Sequence, residues 1–368
     1  MAEASEDRVE KQERVARVRR ELGGEPLLLT SHEAVSWYLD GARTHVSLAG
    51  PPVLAVLASD AGDTLFVADN EADRLIAEEL LPEDAERVIR VPWWTPPSIA
   101  AAEHAAVPEA DVAAALRAAR ARLLPGERGR YRALGRETAE ALTDVLGVVD
   151  PAESERMVAA EVSAALVTRG IDPLVVLVAG AARQGFRHPL PTAGVLGDRV
   201  MVVVCGRKNG LIANATRWIG EPVDDEPLWG VERAFLDASV PGARLSDAFA
   251  AGTAAYARFG FDADEWRRHH QGGPTGYAGR DPRATASTDD VIVEHQAFAW
   301  NPTAPGVKVE DTMLLAPEGW EVLTVDDRWP SVDYEGLRRP LARPYGGTGG
   351  RAPTPTPRHP SAAECRLG

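Results

Sequence analysis

The sequence predicts an α/β (α+β) chain made of a smaller first domain and a larger second domain. The chain has 368 residues, which is enough to bury two hydrophobic cores. Short apolar runs alternate with helical patterns up to residue 125, which is typical of a small α/β domain. Two long amphipathic helical patterns and a strand hairpin follow, and they indicate a second domain at residues 126–335.

The first domain, residues 1–125, opens with a helical pattern that ends at Gly23 and Gly24, residues suited to a helix C-terminus. A second helix begins after Thr30 or Ser31, because either side chain can cap its first turn. We find no glycine-rich phosphate-binding loop in this domain. Helices are predicted at residues 8–22, from residue 31 onward and at 71–80, strands at residues 46–48, 53–58, 64–67 and 87–91, and residues 26–30 form a short apolar run.

Trp93 and Trp94, followed by Thr-Pro-Pro, interrupt this alternation, and a helix rich in Ala and Arg is predicted at residues 110–124. We place the domain boundary close to Gly126.

The tail at residues 344–368 is rich in Gly, Pro, Thr and Arg, a composition that predicts disorder. In the second domain, helices are predicted at residues 128–146, 154–169, 232–237 and 245–259, and strands at residues 174–179, 200–204, 210–218, 296–300, 312–315 and 320–324.

Composition limits the classes of function. The net charge of −15 argues against a nucleic-acid partner, because phosphate binding needs clustered Lys and Arg. No apolar run approaches the roughly 18–20 residues that span a bilayer, so no membrane partner is expected. The first 21 residues are charged and lack the apolar core of a secretory signal, and the two cysteines, Cys205 and Cys365, do not suggest a disulfide framework. These features together predict a cytoplasmic protein.

A series of short motifs lies between residues 187 and 312. Their residue types and their order resemble the catalytic half of the creatinase, Xaa-Pro aminopeptidase and methionine aminopeptidase family, whose fold is called the pita-bread fold. The resemblance implies that fold for the second domain and a smaller creatinase-like α/β domain before it. The motifs that carry it are Arg187-His188-Pro189-Leu190-Pro191-Thr192, Gly197-Asp198-Arg199-Val200, Asn214-Ala215-Thr216-Arg217, His269-His270-Gln271-Gly272-Gly273, Arg280-Asp281-Pro282, Asn301-Pro302 and Gly306-Val307-Lys308-Val309-Glu310-Asp311-Thr312.

The resemblance also implies two metal ions held by acidic residues, but three of the acidic positions carry other residues. They fall on Val204 (or its neighbour Cys205), on Asn214 and on Asn301, whereas Glu310 keeps its acid. Two metal ions ~3.5–4 Å apart need several carboxylates to bridge them and to offset their charge. Valine offers no donor atom, and the neutral carbonyl of an asparagine binds divalent ions poorly without companions. We therefore expect no metal and no other cofactor.

Creatinase is a precedent within this family for the same frame without a metal. The resemblance implies that His188 acts there as a general acid and base, because an imidazole gives and takes protons near neutral pH. Glu310 would be the second catalytic residue. Arg280 would bind a substrate carboxylate, because a guanidinium binds carboxylates in a bidentate manner. The substrate-binding residues implied in this way are Asn214, His269, His270, Arg280, Asp281 and Asn301.

Each of these residues has a structural alternative. His188 could be a solvated loop residue, and His269 and His270 could cap a polar helix. Glu310 could form a structural salt bridge with Lys308 or Arg217. The sequence alone leaves these alternatives open.

Two further features favour the structural alternative. Cys205 lies in a predicted buried strand, where cysteine usually behaves as an inert small apolar residue. Trp93 and Trp94 could reach the site of a second subunit, as the resemblance to dimeric relatives implies, but a packing role between the domains is favoured.

The sequence therefore predicts a homodimeric enzyme that cleaves or rearranges a C–N bond in a small polar molecule without a metal. A metallo-aminopeptidase of the Xaa-Pro type with an atypical metal is the first alternative. A non-catalytic binding protein with the same fold is the second. The sequence names neither the substrate nor the choice among hydrolysis, elimination and cyclisation.

Overall fold

A computed structural model describes residues 6–104 and 106–346 of the chain. Most of the tail for which disorder is predicted, from residue 347 onward, lies outside the described residues. The described part is a mixed α/β structure, as predicted. None of its helices is long and apolar enough to cross a membrane.

The first half is built on one mixed sheet with the strand order β4-β3-β2-β1-β5. β1 lies between β2, which runs antiparallel to it, and β5, which runs parallel to it. Its three leucines are buried, because the sheet is covered by helices on both faces. The helices are α1 (Glu6–Glu21), α2 (His32–Tyr38), α3 (Asp69–Glu78), α4 (Pro82–Ala85), α5 (Pro97–Ala102) and α6 (Ala113–Ala121), and the strands are β1 (Leu27–Leu29), β2 (Leu54–Ala58), β3 (Thr64–Ala68), β4 (Val88–Val91) and β5 (Val107–Pro108).

One strand predicted in this half is wrong. Residues 46–48 form an irregular loop, and Val46 is 68% exposed. The segment leads directly into Gly50, Pro51 and Pro52, and the two prolines have no backbone N–H to donate to a ladder.

The second half begins with two long helices packed on a three-stranded antiparallel sheet, β6-β7-β8. β7 and β8 form a hairpin whose two-residue turn, Asn209 and Gly210, has positive φ angles at both positions. This is the turn that best matches the twist of the strands. The elements are α7 (Pro125–Leu146), α8 (Glu155–Val167), β6 (Asp172–Ala179), β7 (Arg199–Lys208) and β8 (Leu211–Gly220).

The remainder of the chain packs two helices against a four-stranded sheet of order β14-β13-β10-β9, beside two small hairpins. Phe235 of the first of these helices stacks on Trp300 of the sheet in this second core. The elements are α9 (Glu226–Ala238), α10 (Leu245–Arg258), β9 (Gly272–Thr275), β10 (Ala297–Trp300), β11 (Thr303–Ala304), β12 (Val307–Lys308), β13 (Met313–Ala316), β14 (Gly319–Val322), β15 (Ser331–Tyr334) and β16 (Leu337–Pro340).

The segment at residues 310–312 joins these two parts. The backbone N–H of Thr216 donates to the Glu310 carbonyl at 2.9 Å. The Thr312 hydroxyl accepts from the Asn214 N–H at 2.7 Å and donates to the Asn214 carbonyl at 3.1 Å. These contacts hold Glu310 against β8 and fix its position relative to Asn214.

Candidate active site

A cavity of about 410 Å³ lies between the β6-β7-β8 sheet and the segments around β9 and β12. Apart from Asn214, its lining on the side of the sheet is largely apolar, and the opposite side is polar. Such a mixed lining and volume are typical of small-molecule sites. The lining residues are Leu174, Val175, Leu177, His188, Val203, Cys205, Ile212, Asn214, His270, Gly279, Arg280, Arg283, Asn301, Lys308 and Glu310.

Glu310 is the centre of the polar wall. Its carboxylate accepts from the Arg280 guanidinium at 2.5 Å and forms a second ion pair with the Lys308 ammonium. The amide of Asn301 and the hydroxyl of Thr216 approach the same carboxylate at 3.5 and 3.3 Å. Burial alone would raise the pKa of Glu310, but the two cations lower it to about 2. Glu310 is therefore ionised at neutral pH.

Asn214 extends this cluster along β8. Its side-chain oxygen accepts from Arg280 at 3.2 Å, and its amide nitrogen donates to the Thr275 hydroxyl at 3.1 Å. The residue is fully buried. The guanidinium of Arg280 therefore donates to two side-chain oxygens, one of Asn214 and one of Glu310.

Three histidines form the rim of the cavity. The Nε2 atoms of His188 and His269 lie 3.2 Å apart, and the ring of His270 stacks on that of His269 at 4.4 Å. His269 is buried, His270 is partly buried and His188 is exposed. Burial and the charge of Lys308 lower the pKa of His188 and, to about 2, that of His269. Burial and then Arg280 lower the pKa of His270 to about 3.

The loop that carries His188 is anchored from two sides. The preceding residue, Arg187, donates to Thr303 at 2.9 Å and forms an ion pair with the buried Glu265. Glu155, in the first turn of α8, accepts from the N–H and the hydroxyl of Thr192 at 2.8 and 2.7 Å. The loop is therefore held although His188 itself is exposed.

The histidine pair is positioned by the residues that follow it. The side chain of Gln271 donates to the carbonyl of His269 at 2.7 Å and accepts from the Tyr256 hydroxyl, also at 2.7 Å. Gly272 has a φ of +90°, and a Cβ atom there would lie 2.1 Å from the carbonyl oxygen of Ala299. The Gly-Gly sequence therefore allows β9 to pair closely with β10 directly behind the histidines.

The pair of metal ions that the resemblance implies does not fit these residues. Both oxygens of Glu310 already bind cationic side chains, and Asn214 and Asn301 are neutral. The three histidines do lie close enough for one ion, because their ligand atoms fall within 4.8 Å of one another. However, the charges of Lys308, Arg280 and Arg283 that oppose protonation of these histidines also oppose a dication.

The structure corrects the position of one residue expected at the site. Val204 is fully buried in the core beneath α7 and α8, whereas Val203 and Cys205 face the cavity. Successive side chains of a strand point to opposite faces, so a shift of one residue exchanges core for cavity. Cys205 lies opposite Asn214 in the hairpin, and burial raises the pKa of its thiol to about 12. At neutral pH the thiol is therefore protonated, which disfavours a role as nucleophile.

Asp281 is the second correction, because it does not lie among the residues that line this cavity. Its carboxylate forms a bidentate ion pair with Arg120 of α6, at 2.5 and 2.7 Å. It faces a separate cavity of about 690 Å³ beside α6. The ion pair links the first half of the chain to the second, so the structure favours a structural role for Asp281.

The other predicted residues come together. His188, His270, Asn214, Arg280, Asn301 and Glu310 all line the one cavity, and His269 contacts His188 at its rim. Of the two partners proposed for Glu310, Lys308 forms the ion pair, whereas Arg217 binds Asp311 instead.

Sequence reasoning missed two cations of the site. The sequence indicates Lys308 only as a structural partner of Glu310 and gives no signal for Arg283, yet both side chains line the cavity. The signal for Lys308 was its separation of two residues from Glu310, which places both side chains on the same face of an extended segment. Arg283 follows a proline in a loop, where no periodicity predicts the direction of a side chain.

Solved structures with the same fold confirm the resemblance at the level of the fold. The protein has the two-part architecture of the pita-bread proteins. It is similar to the prolidase of Pyrococcus horikoshii (TM-score 0.69, 18% identity, 87% of this chain and 99% of that chain). It is also similar to dipeptidase PepE of Mycobacterium ulcerans (TM-score 0.69, 20% identity, 88% and 96%).

A third similar structure is the N-terminal domain of the FACT complex subunit SPT16 from chickpea, Cicer arietinum (TM-score 0.63, 13% identity, 87% of this chain and 96% of that chain). The fold is thus shared by proteins described as peptidases and by a subunit of a larger complex. The function must therefore be argued from the site. No family model matches the sequence, and no curated protein matches it either.

Proposed function

We propose that the protein is a hydrolase that cleaves a C–N bond of a small polar molecule without a metal ion. The observation that carries this proposal is the carboxylate of Glu310 held between Arg280 and Lys308, across one cavity from neutral imidazoles. The fold supports the general class of reaction, because similar structures are described as prolidases and dipeptidases.

His188 is the proton-transfer residue in this proposal. Its lowered pKa keeps the imidazole neutral at pH 7, so it can take a proton from the attacking water. Its Nε2 lies 3.2 Å from that of His269, so one ring donates to the other when both are neutral. That contact orients His188 in the cavity mouth. The proton then passes to the leaving nitrogen as the C–N bond breaks.

Arg280 and Lys308 supply the positive charge that the reaction needs. Attack of water on the carbon of a C–N group places negative charge on its oxygen, and fixed cations on the cavity wall stabilise that charge. Glu310, whose pKa is about 2, stays ionised and holds the two cations in place. Its part in this mechanism is to position them rather than to move a proton.

A metal-assisted hydrolase is the second candidate, and the spacing of the three histidines favours it. A single transition metal there would activate water instead of the free imidazole. In that case His188 would be a ligand rather than a base. The cationic side chains around the cluster argue for the metal-free proposal.

The experiment that separates the two is a turnover screen of small linear amides, cyclic amides and guanidino compounds before and after extensive chelation. Release of amine or ammonia that survives chelation supports the proposal. Release that stops and returns with added Zn²⁺, Mn²⁺ or Co²⁺ supports the metal-assisted candidate. His188→Ala serves as the negative control for background hydrolysis.

We also propose that the chain forms a homodimer in the cytoplasm, as the sequence predicts. The packing role between the domains that the sequence favours for Trp93 and Trp94 is wrong, because each residue is 69% exposed. Together with nearby Ile99, which is 60% exposed, their indoles support an interface on the first half of the chain. Light scattering should give twice the mass of the chain at micromolar concentration. The mass of a single chain would contradict the dimer.

A further inference from the structure

The cavity contains a buried acceptor without a donor. Asn301 is 3% exposed, and its amide nitrogen points to Glu310, which fixes its oxygen in the opposite direction. That Oδ1 atom has no hydrogen-bond partner among the described residues. A buried polar atom is unfavourable without a partner, so an unpartnered acceptor beside a cavity can receive a hydrogen bond from a donor group of a ligand.

The same cavity carries an excess of positive charge. Arg280, Lys308 and Arg283 line it, and Glu310 is the carboxylate that offsets them. Arg280 and Lys308 are paired with Glu310, whereas the exposed guanidinium of Arg283 has no ion pair within residues 6–104 and 106–346. The charge of Arg283 nevertheless acts on His188 and His270, which places it close to the rim.

An unpartnered donor belongs to another residue of the same cavity. The Nε atom of Arg280 is buried and has no hydrogen-bond partner in the described part of the chain. The cavity therefore offers one acceptor, at Asn301, and cationic donors, at Arg280 and Arg283. A neutral amine or a simple sugar could hydrogen-bond to these atoms but would leave the positive charge of Arg283 without a partner.

We propose that the ligand of this cavity is a small secondary amide that carries a carboxylate, such as an N-acyl amino acid. Its N–H donates to Asn301 and its carboxylate binds Arg283. This inference rests on the proposed function, since it names the substrate class of the same site. It excludes tertiary amides, in which the nitrogen has no hydrogen to donate to Asn301.

Binding of three matched probes tests the proposal. N-acetylglycine has both groups, its methyl ester lacks the charge, and N-acetylsarcosine lacks the N–H. Calorimetry on the full-length protein should show N-acetylglycine binding roughly tenfold more tightly than either of the other two, since charge-assisted and buried hydrogen bonds each contribute about that much. Nuclear magnetic resonance of the recovered probe checks that it is intact.

Arg283→Ala should remove the preference for N-acetylglycine over its ester. It should keep the preference over N-acetylsarcosine, although both acids should bind more weakly than they do to the unchanged protein. Arg283→Lys should restore part of the first preference. Arg258→Ala is the matched control, because this arginine is exposed at the end of α10 and does not line the cavity. It should bind all three probes as the unchanged protein does.

Equal affinity for the acid and its ester, or binding of none of the probes, would overturn the proposal. So would an acid preference that survives Arg283→Ala. These results differ from failure of the proposed function, which is measured by turnover. A protein that hydrolyses another amide through His188 but ignores the carboxylate would keep the function and lose this substrate class.

Discussion

Glu310 and Asp311 are neighbours in the chain, and each binds two cationic side chains, yet their surroundings differ. Asp311 binds Arg217 at 2.9 Å and Arg339 at 3.1 Å, and all three side chains are at most 4% exposed. Glu310 binds Arg280 and Lys308 on the wall of a cavity. Both clusters contain buried side-chain atoms without a hydrogen-bond partner among the described residues, but those of Asn301 and Arg280 belong to residues that line the cavity of about 410 Å³.

Two adjacent acids of one short motif thus have different roles, Glu310 on the cavity wall and Asp311 in an enclosed cluster of ion pairs. Thr312 and the backbone of Glu310 fasten the segment to β8, so the two acids must point to opposite sides. The enclosed cluster ties β8 to β16 and α9 through Arg339 and its second partner, Glu232. Removal of the carboxylate charge of Asp311 should therefore lower mainly the free energy of unfolding. Removal of the carboxylate charge of Glu310 should lower mainly the activity.

The largest effect is expected from His188→Ala. The rate should fall roughly 10²–10⁴-fold, the usual contribution of a positioned proton-transfer group. The side chain is exposed, so the free energy of unfolding should hardly change. Initial rates and a denaturant titration on the same preparation check both statements. Near-full turnover in a folded variant would place the chemistry elsewhere.

The next effect compares the two acids directly. Asp311→Ala should lower the free energy of unfolding by about 3–5 kcal/mol, because it leaves buried arginines without their carboxylate. Glu310→Gln should cost less, about 1–3 kcal/mol, because an amide keeps some hydrogen bonds and the cavity admits water. Urea titrations of both variants measure the difference. A larger loss for Glu310→Gln would remove the distinction between an enclosed and an open cluster.

The pH profile should reflect the groups that face His188. Partial burial and the positive charges of Lys308, Arg283 and Arg280 lower its pKa, and the negative charge of Glu310 raises it by less. The neutral base therefore persists below the ordinary value of about 6.5. The acid limb of the rate should lie below that pH, and Lys308→Met should move it upward. An acid limb above pH 7 in the unchanged protein would contradict the assignment.

The smallest effect is expected for Cys205→Ala. Burial raises the pKa of this thiol to about 12, so a thiolate is not present at neutral pH. Turnover should stay within about twofold of the original, since one small side chain on the apolar wall is exchanged for another. Loss of activity comparable to that of His188→Ala would require a cysteine nucleophile.

Much of the fold could be predicted because hydrophobic periodicity and glycine positions identify most elements. The pattern at residues 210–218 predicted the return strand of the hairpin, which is observed as Leu211–Gly220. The motif at residues 306–312 predicted that Glu310 belongs to the site, and the cavity confirms that it lines the wall. The domain boundary near Gly126 stays a prediction, because one continuous core joins both halves.

The positions of the other site residues depend on contacts between segments that are far apart in the sequence. The resemblance of the motif Arg280-Asp281-Pro282 predicts that Asp281 belongs to the site, but its partner, Arg120, lies 161 residues earlier in the chain. Val204 and Cys205 could not be separated because nothing in an unbroken apolar run shows which face meets the cavity. The position of Arg283 depends on the path of a loop. Each of these points is decided by tertiary contacts rather than by local pattern.

The central claim is that Arg280 and Lys308, held by Glu310, stand in place of a metal centre. Elemental analysis of protein produced with added Mn²⁺, Co²⁺ and Zn²⁺ tests it most directly, together with thermal melting in the presence of each ion. The account predicts far less than one bound equivalent and a melting temperature that the ions do not raise. One or more equivalents that are lost in His269→Ala, with a matching rise in the melting temperature of the original protein, would contradict it.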